Sequence, residues 1–172
     1  MIKNAKFKTG LSFTTLLLFI CLSSINAKPK REFYEIKVYS VKNSEQASRV
    51  ENYLKDAYIP AMHRLGISKV GVFKPVTTDT AASGKFIYVL TPIKSLDYLL
   101  KLPQKLNKDA AYLSAGKDYI DATYKNPPYT RYETIVLQAF PDAPKLNSSN
   151  VSSPKAERIY ELRSYEGHTE KI

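Results

Sequence analysis

Residues Phe33-Tyr34-Glu35-Ile36-Lys37-Val38-Tyr39 alternate in character with a period of two, as a half-buried strand does. Tyr34, Ile36 and Val38 fall on one face, and Phe33, Glu35, Lys37 and Tyr39 on the other. The period then changes to that of a helix. Asn43-Ser44-Glu45-Gln46 supplies an N-cap with an amide three residues on, a form of capping box. Ala47, Val50, Leu54, Ala57, Ala61 and Leu65 follow as one apolar stripe. Pro60 kinks or restarts this helix, because it lacks an N–H and clashes with the preceding turn. Gly66 ends it.

Lys69–Lys74 and Phe86–Leu90 read as two further strands, joined by the small and polar loop 77–84. Ser95 caps a second helical region with Leu96, Leu99, Leu100 and Leu106 apolar and Pro103 interrupting it. Ala110 to Ile120 continues that region after the break. Asn126-Pro127-Pro128-Tyr129 requires a fixed loop, and Tyr132 to Phe140 reads as the last strand. The order is β-α-β-β-α-β, which predicts an α+β fold, the ferredoxin-like sandwich, over residues 33–140.

Residues 141–156 are linker chemistry, rich in Ser, Asn and Pro, with N-x-Ser sequons at Asn147 and Asn150. Beyond them, Tyr160-Glu161-Leu162-Arg163-Ser164-Tyr165 repeats Tyr34-Glu35-Ile36-Lys37-Val38-Tyr39, about one domain and its linker later. Repetition of this kind marks residues 157–172 as the opening strand of a second copy that stops before its first helix.

At the other end, Lys3, Lys6 and Lys8 precede the apolar run Leu16–Leu22, and Ser23-Ser24-Ile25-Asn26-Ala27 closes on a small residue. A basic segment, a short apolar core and a small-residue site make a secretory signal peptide over 1–27, cleaved after Ala27. The apolar run is far too short for a membrane span. Cleavage removes Cys21, the one cysteine, so the mature chain has neither a disulfide nor a Cys-ligated metal. Residues 28–32 then form a basic N-terminal segment. The whole chain has 172 residues, 44% of them hydrophobic and 24% charged, with a net charge of +10. That composition fits one packed domain and excludes a disordered chain. The positive charge is scattered among acids and suits a soluble basic surface drawn to anionic envelopes rather than a nucleic-acid site.

In these features the chain resembles the NIPSNAP family. The resemblance rests on Tyr34–Tyr39, on Ile59-Pro60-Ala61-Met62-His63-Arg64-Leu65-Gly66 before Val70-Gly71-Val72-Phe73, and on the restart at Tyr160. It is strongest to exported, two-copy members, including the Asn126-Pro127-Pro128-Tyr129 loop. It implies a ferredoxin-like unit of the dimeric α+β barrel superfamily, in which two units set their sheets face to face, and it brings no catalytic residues. The partner is then a second copy of this chain, as a homodimer, or a second NIPSNAP-type domain.

Helices cover one face of such a sheet, and Ile36 and Val38 suit that face. Glu35, Lys37 and Tyr39 then line the open face, with Tyr88 and Glu133 joining them if the register is right, and docking of a partner encloses a small-ligand cavity. The plainer expectation is that Glu35 and Lys37 form a salt-bridging or solvated face. His63 lies opposite the Leu54 stripe near a helix end, where the dipole favours a cation, and His168 lies in the tail. Two histidines without cysteine make no metal site, and the motifs require no cofactor. Three functions fit this reading. The first is a non-enzymatic module that associates through its open sheet face and holds a small apolar ligand. The second is an enzyme of the barrel cavity, cofactor-free or haem-related, with Glu35 as base and Lys37 or Tyr39 orienting substrate. The third is a basic surface protein binding acidic glycans or lipids.

Overall fold

A computed structural model describes residues 30–76, 78, 82–147, 151–165 and 167–169. The expected signal peptide with its cleavage site at Ala27, and the sequon residue Asn150, lie outside the described residues. Strand β1 is Phe33–Ser40. The first helical segment starts as α1, Ser44–Tyr53, passes through a π-helical turn, Leu54–Tyr58, and resumes as α2, Ile59–Arg64. Strands β2, Gly71–Phe73, and β3, Phe86–Ile93, follow. The second helical region comprises α3, Leu96–Leu106, α4, Ala110–Ala115, and α5, Lys117–Ile120. Strand β4 is Arg131–Gln138, and a short 3₁₀ turn, Lys155–Glu157, lies in the tail.

The caps are those the residue types dictate. The Asn43 side chain accepts from the Gln46 N–H, Ser95 from Tyr98 and Asp109 from Tyr112. Gln46 does not close the reciprocal box on Asn43. Its Oε1 accepts from the Lys42 N–H, and its amide nitrogen donates to the Pro127 carbonyl, tying the loop before β4 to α1. Pro60 stands at the start of α2, directly after the π turn, so the helix resumes where the missing N–H costs least. At its end Gly66 adopts φ 78°, and the N–H groups of Gly66 and Ile67 bond the carbonyls of His63 and Met62. This is the Schellman arrangement, and it buries Ile67 beside Met62.

Pro103 departs from expectation. It lies inside α3, which runs on to Leu106. Pro103 is on the solvent side of the helix, where the carbonyl it leaves without a donor can be hydrated.

The sheet order is β2-β3-β1-β4, antiparallel throughout. Phe33 to Ser40 pair with Ile93 to Phe86 on one side and with Gln138 to Arg131 on the other. Helices cover one face only. The core beneath them holds Tyr39, Val50, Leu54, Ala57, Tyr58, Met62, Ile87, Val89 and Ile93. Residues 158–165, read as the opening of a second copy, pair with no strand among the described residues. Tyr160 rests edge-on against Phe73, ring centroids 5.1 Å apart.

Candidate functional site

Strand register assigns every side chain of β1 to a face, and it reverses the expected assignment. Glu35, Lys37 and Tyr39 point beneath the helices, whereas Tyr34, Ile36 and Val38 point to the open face. Tyr39 is 2% exposed and lies beside Ile87 and Tyr132 in register, and Lys37 lies beside the fully buried Val89. The reversal has a physical cause. Both faces carry apolar residues, so alternation fixes the period but not the side. The larger rings of Phe33 and Tyr39 fill more of the core than Ile36 and Val38 would.

Beneath the helices, the Lys37 ammonium lies 3.6 Å from Glu35 Oε2 and 4.5 Å from the centre of the Tyr58 ring. Tyr58 comes from the π-helical turn, and its hydroxyl is 3.5 Å from Thr91 Oγ1. Burial by itself would lower the Lys37 pKa. Attraction to the Tyr58 oxygen and the Glu35 carboxylate outweighs it and holds the ammonium above the ordinary lysine range, so Lys37 stays charged. Glu35 Oε2 is buried without a hydrogen-bond partner. A carboxylate held in this way, under helices and against a permanent cation, is placed for structure. It does not reach the open face, where the enzyme reading required its base.

A tyrosine cluster continues this layer towards β4. Tyr53 and Tyr119 stack with ring centroids 3.7 Å apart, the Tyr53 and Tyr112 hydroxyls are 2.9 Å apart, and Tyr39 packs against Tyr119, Tyr129 and Tyr132. Burial raises the pKa of Tyr39, Tyr53, Tyr58 and Tyr119 above the ordinary phenol value, so all four stay neutral. A cleft of about 550 Å³ opens beside the cluster between Tyr112, Tyr119, Tyr124 and the Pro127-Pro128-Tyr129 loop. Tyr53 and Tyr58 were legible only as helical residues. The signal that could have found them is that each neighbours a stripe position, at Leu54 and Ala57, and so widens the buried face.

The open face is built from rows across the strands. Leu90, Ile36 and Ile135 form one row, Tyr88, Val38 and Glu133 the next, and Pro92, Tyr34 and Leu137 a third. Tyr88 and Glu133 thus share the face and the row of Val38, separated from Glu35, Lys37 and Tyr39 by the thickness of the sheet. Glu133 is ion-paired with Arg131 on its own strand. Ile36 is only 6% exposed, enclosed by its row, yet it belongs to no part of the core beneath the helices. Ile135 and Leu137 remain 43% and 41% exposed. The centre of the uncovered face is therefore apolar, whereas the covered face carries Glu35, Lys37 and Thr91.

The histidines take no part in this face. His63 is exposed in the last turn of α2, and His168 is exposed in the tail. Among the described residues, no three His, Cys, Asp or Glu side chains come together as a metal cluster, and no helix is long and apolar enough to cross a membrane.

Strand order, connectivity and a one-sided helix layer define a ferredoxin-like α+β sandwich. Comparison with solved structures makes the assignment more specific: the fold is NIPSNAP-type. A NIPSNAP family protein of Agrobacterium tumefaciens aligns at 14% identity and a TM-score of 0.50, over 67% of this chain and 91% of its own. A second NIPSNAP family protein of that organism, described as having unknown function, aligns at 18% identity with a TM-score of 0.47, over 64% of this chain and 89% of its own. A NIPSNAP domain protein from Burkholderia xenovorans aligns at 10% identity and 0.44, over 61% and 91%. No protein-family model matches the chain, and no curated protein matches it.

Proposed function

We propose that this NIPSNAP-type unit is an exported association module whose uncovered sheet face pairs with a second sheet of the same kind. The observation that carries the reading is the apolar centre of that face, the row Leu90–Ile36–Ile135 bordered by Val38, Tyr88 and Leu137. An antiparallel sheet with one face in water normally alternates apolar-in and polar-out. This one is apolar where it should be wet. The partner is a second copy of the chain or a second unit of the same type, and closing the two sheets leaves Tyr88 and Glu133 as polar groups on the wall of a small-ligand cavity. Export rests on the basic, apolar and small-residue sequence of residues 1–27.

The enzyme reading loses its proposed base, since Glu35, Lys37 and Tyr39 lie on the far side of the sheet. A haem-related reading meets no histidine on the open face. Association therefore stands as the better account.

Chemical labelling tests it. The chain from Lys28 onward contains no cysteine, so Tyr88→Cys places a single thiol on the open face and Lys55→Cys one on the exposed helix layer. Maleimide should react slowly with Tyr88→Cys at micromolar protein and faster on dilution, with Lys55→Cys indifferent to concentration. Equal, concentration-independent reaction at both sites would refute the pairing.

A further inference from the structure

The cleft beside the tyrosine cluster is walled mainly by one stretch of chain. From Tyr119 in α5 to Tyr129 before β4 the backbone curves around it, and Tyr112 of α4 completes the wall. Most of this stretch is loop, yet α1 and β1 hold it in place. The Arg49 guanidinium donates to the Asn126 carbonyl at 3.0 Å and to the Asp118 carboxylate at 2.8 Å. The Gln46 amide donates to the Pro127 carbonyl at 2.8 Å, and the Thr130 N–H to the Ser40 carbonyl at 2.8 Å. Pro127 and Pro128 fix their own φ angles besides. The cleft is therefore shaped before anything enters it, and entry of a ligand costs little ordering of the loop.

Its polar groups are sorted by depth. On the inner side Tyr112 is buried and its hydroxyl meets that of Tyr53, while the Tyr119 hydroxyl donates to Tyr39 at 3.4 Å. Both hydroxyls are engaged within the tyrosine cluster, so these two residues offer the cleft ring surface, and the buried Pro128 adds to it. Towards solvent, Tyr124 is 87% exposed. Its hydroxyl and those of Thr123 and Tyr129 bond no described residue. None of the residues that line the cleft is charged.

We infer that this cleft binds a small neutral aromatic compound, a phenol or indole in kind. Its ring lies against Tyr112, Tyr119 and Pro128, and its hydrogen-bonding group meets the hydroxyls of the mouth. The lining selects this class. An anion would find no compensating charge on the wall. A cation would be repelled by the Lys125 ammonium, which already stands 6.0 Å from the centre of the Tyr124 ring. A sugar carries hydroxyls all round its ring, and the inner wall would leave some of them unpaired. A flat ring packs offset or edge-on against aromatic walls, and about 550 Å³ lies within the range of small-molecule sites. The cleft is on the helix side of the sheet, so the inference stands or falls independently of pairing through the open face.

Titration calorimetry on the chain from Lys28 onward tests it, with 2-naphthol, a neutral phenol at physiological pH, as the probe. 2-Naphthol should bind once per chain. 2-Naphthoate, the same rings bearing a charge, should bind about tenfold more weakly or worse. Tyr124→Ala should weaken 2-naphthol by about fivefold through loss of one ring contact, with the melting temperature unmoved because the side chain is exposed. Thr123→Trp, which places a bulky ring in the mouth, should block binding. Ile135→Glu, on the open sheet face, should leave it unchanged, which separates this cleft from a cavity between paired sheets. Absence of 2-naphthol binding overturns the inference, as does equal binding of the naphthoate or tighter binding of methyl glucoside or choline. Affinity unchanged in both Tyr124→Ala and Thr123→Trp, or lost in Ile135→Glu, also overturns it, because the ligand would then sit elsewhere.

Discussion

At the scale of single residues, the pair Glu35–Lys37 shows what burial does to polar groups. The two side chains are nearly enclosed, 6% and 12% exposed, and each depends on the other for compensation of charge. Lys37→Met strands the carboxylate and should cost about 3 kcal/mol or more in urea unfolding. Adding Glu35→Gln to that variant should restore part of the loss. A double variant no more stable than Lys37→Met would show that the two groups are not coupled. The ion pair itself could be read from the sequence, two residues apart on one strand face. Its depth could not, because Tyr58 reaches it from the π-helical turn, and no local pattern marks such a turn. For the same reason the face of β1 was legible as a period and not as a direction. Ile36 and Val38 carry the usual signature of a core, and only the pairing of Phe33, Lys37 and Tyr39 with the buried Ile93, Val89 and Ile87 of β3 decides otherwise.

Elements were more legible than faces, since their ends are set by local chemistry. Asn43, Ser95 and Gly66 each do in the structure what their residue types predict: α1 and α3 begin, and α2 ends, where those signals place them. The misses have particular causes. β3 extends to Ile93 through Pro92, which sits beyond the end of β2 and so has a strand neighbour on one side only. Pro103 is accommodated because it faces water. Gly66 offers a clean test at this scale. Its φ of 78° strains any residue with a Cβ, although the Cβ itself would meet only the Lys94 ammonium, 3.5 Å away. Gly66→Ala should therefore lower stability by about 1 kcal/mol through backbone strain, with the fold intact by circular dichroism. No loss in chemical denaturation would mean that the left-handed cap is dispensable.

For the whole molecule, the central fact is a sheet with helices on one face and an apolar centre on the other, uncovered one. The helix layer covers β1 and β3 but leaves β4 exposed along its length, with Tyr132, Ile135, Val136 and Leu137 each about two-fifths accessible. An edge strand of this kind favours a neighbour, both by its free hydrogen-bonding side and by its apolar surface. Connectivity and fold type were readable from the order of elements alone, whereas which sheet surface stays uncovered emerged only once the register was known. Light scattering on the chain from Lys28 onward, at micromolar concentration, tests the proposed pairing of sheets most directly. The account predicts a particle of twice the monomer mass that falls to the monomer mass in Ile135→Glu. A wild-type chain that scatters as a monomer across that range would contradict it.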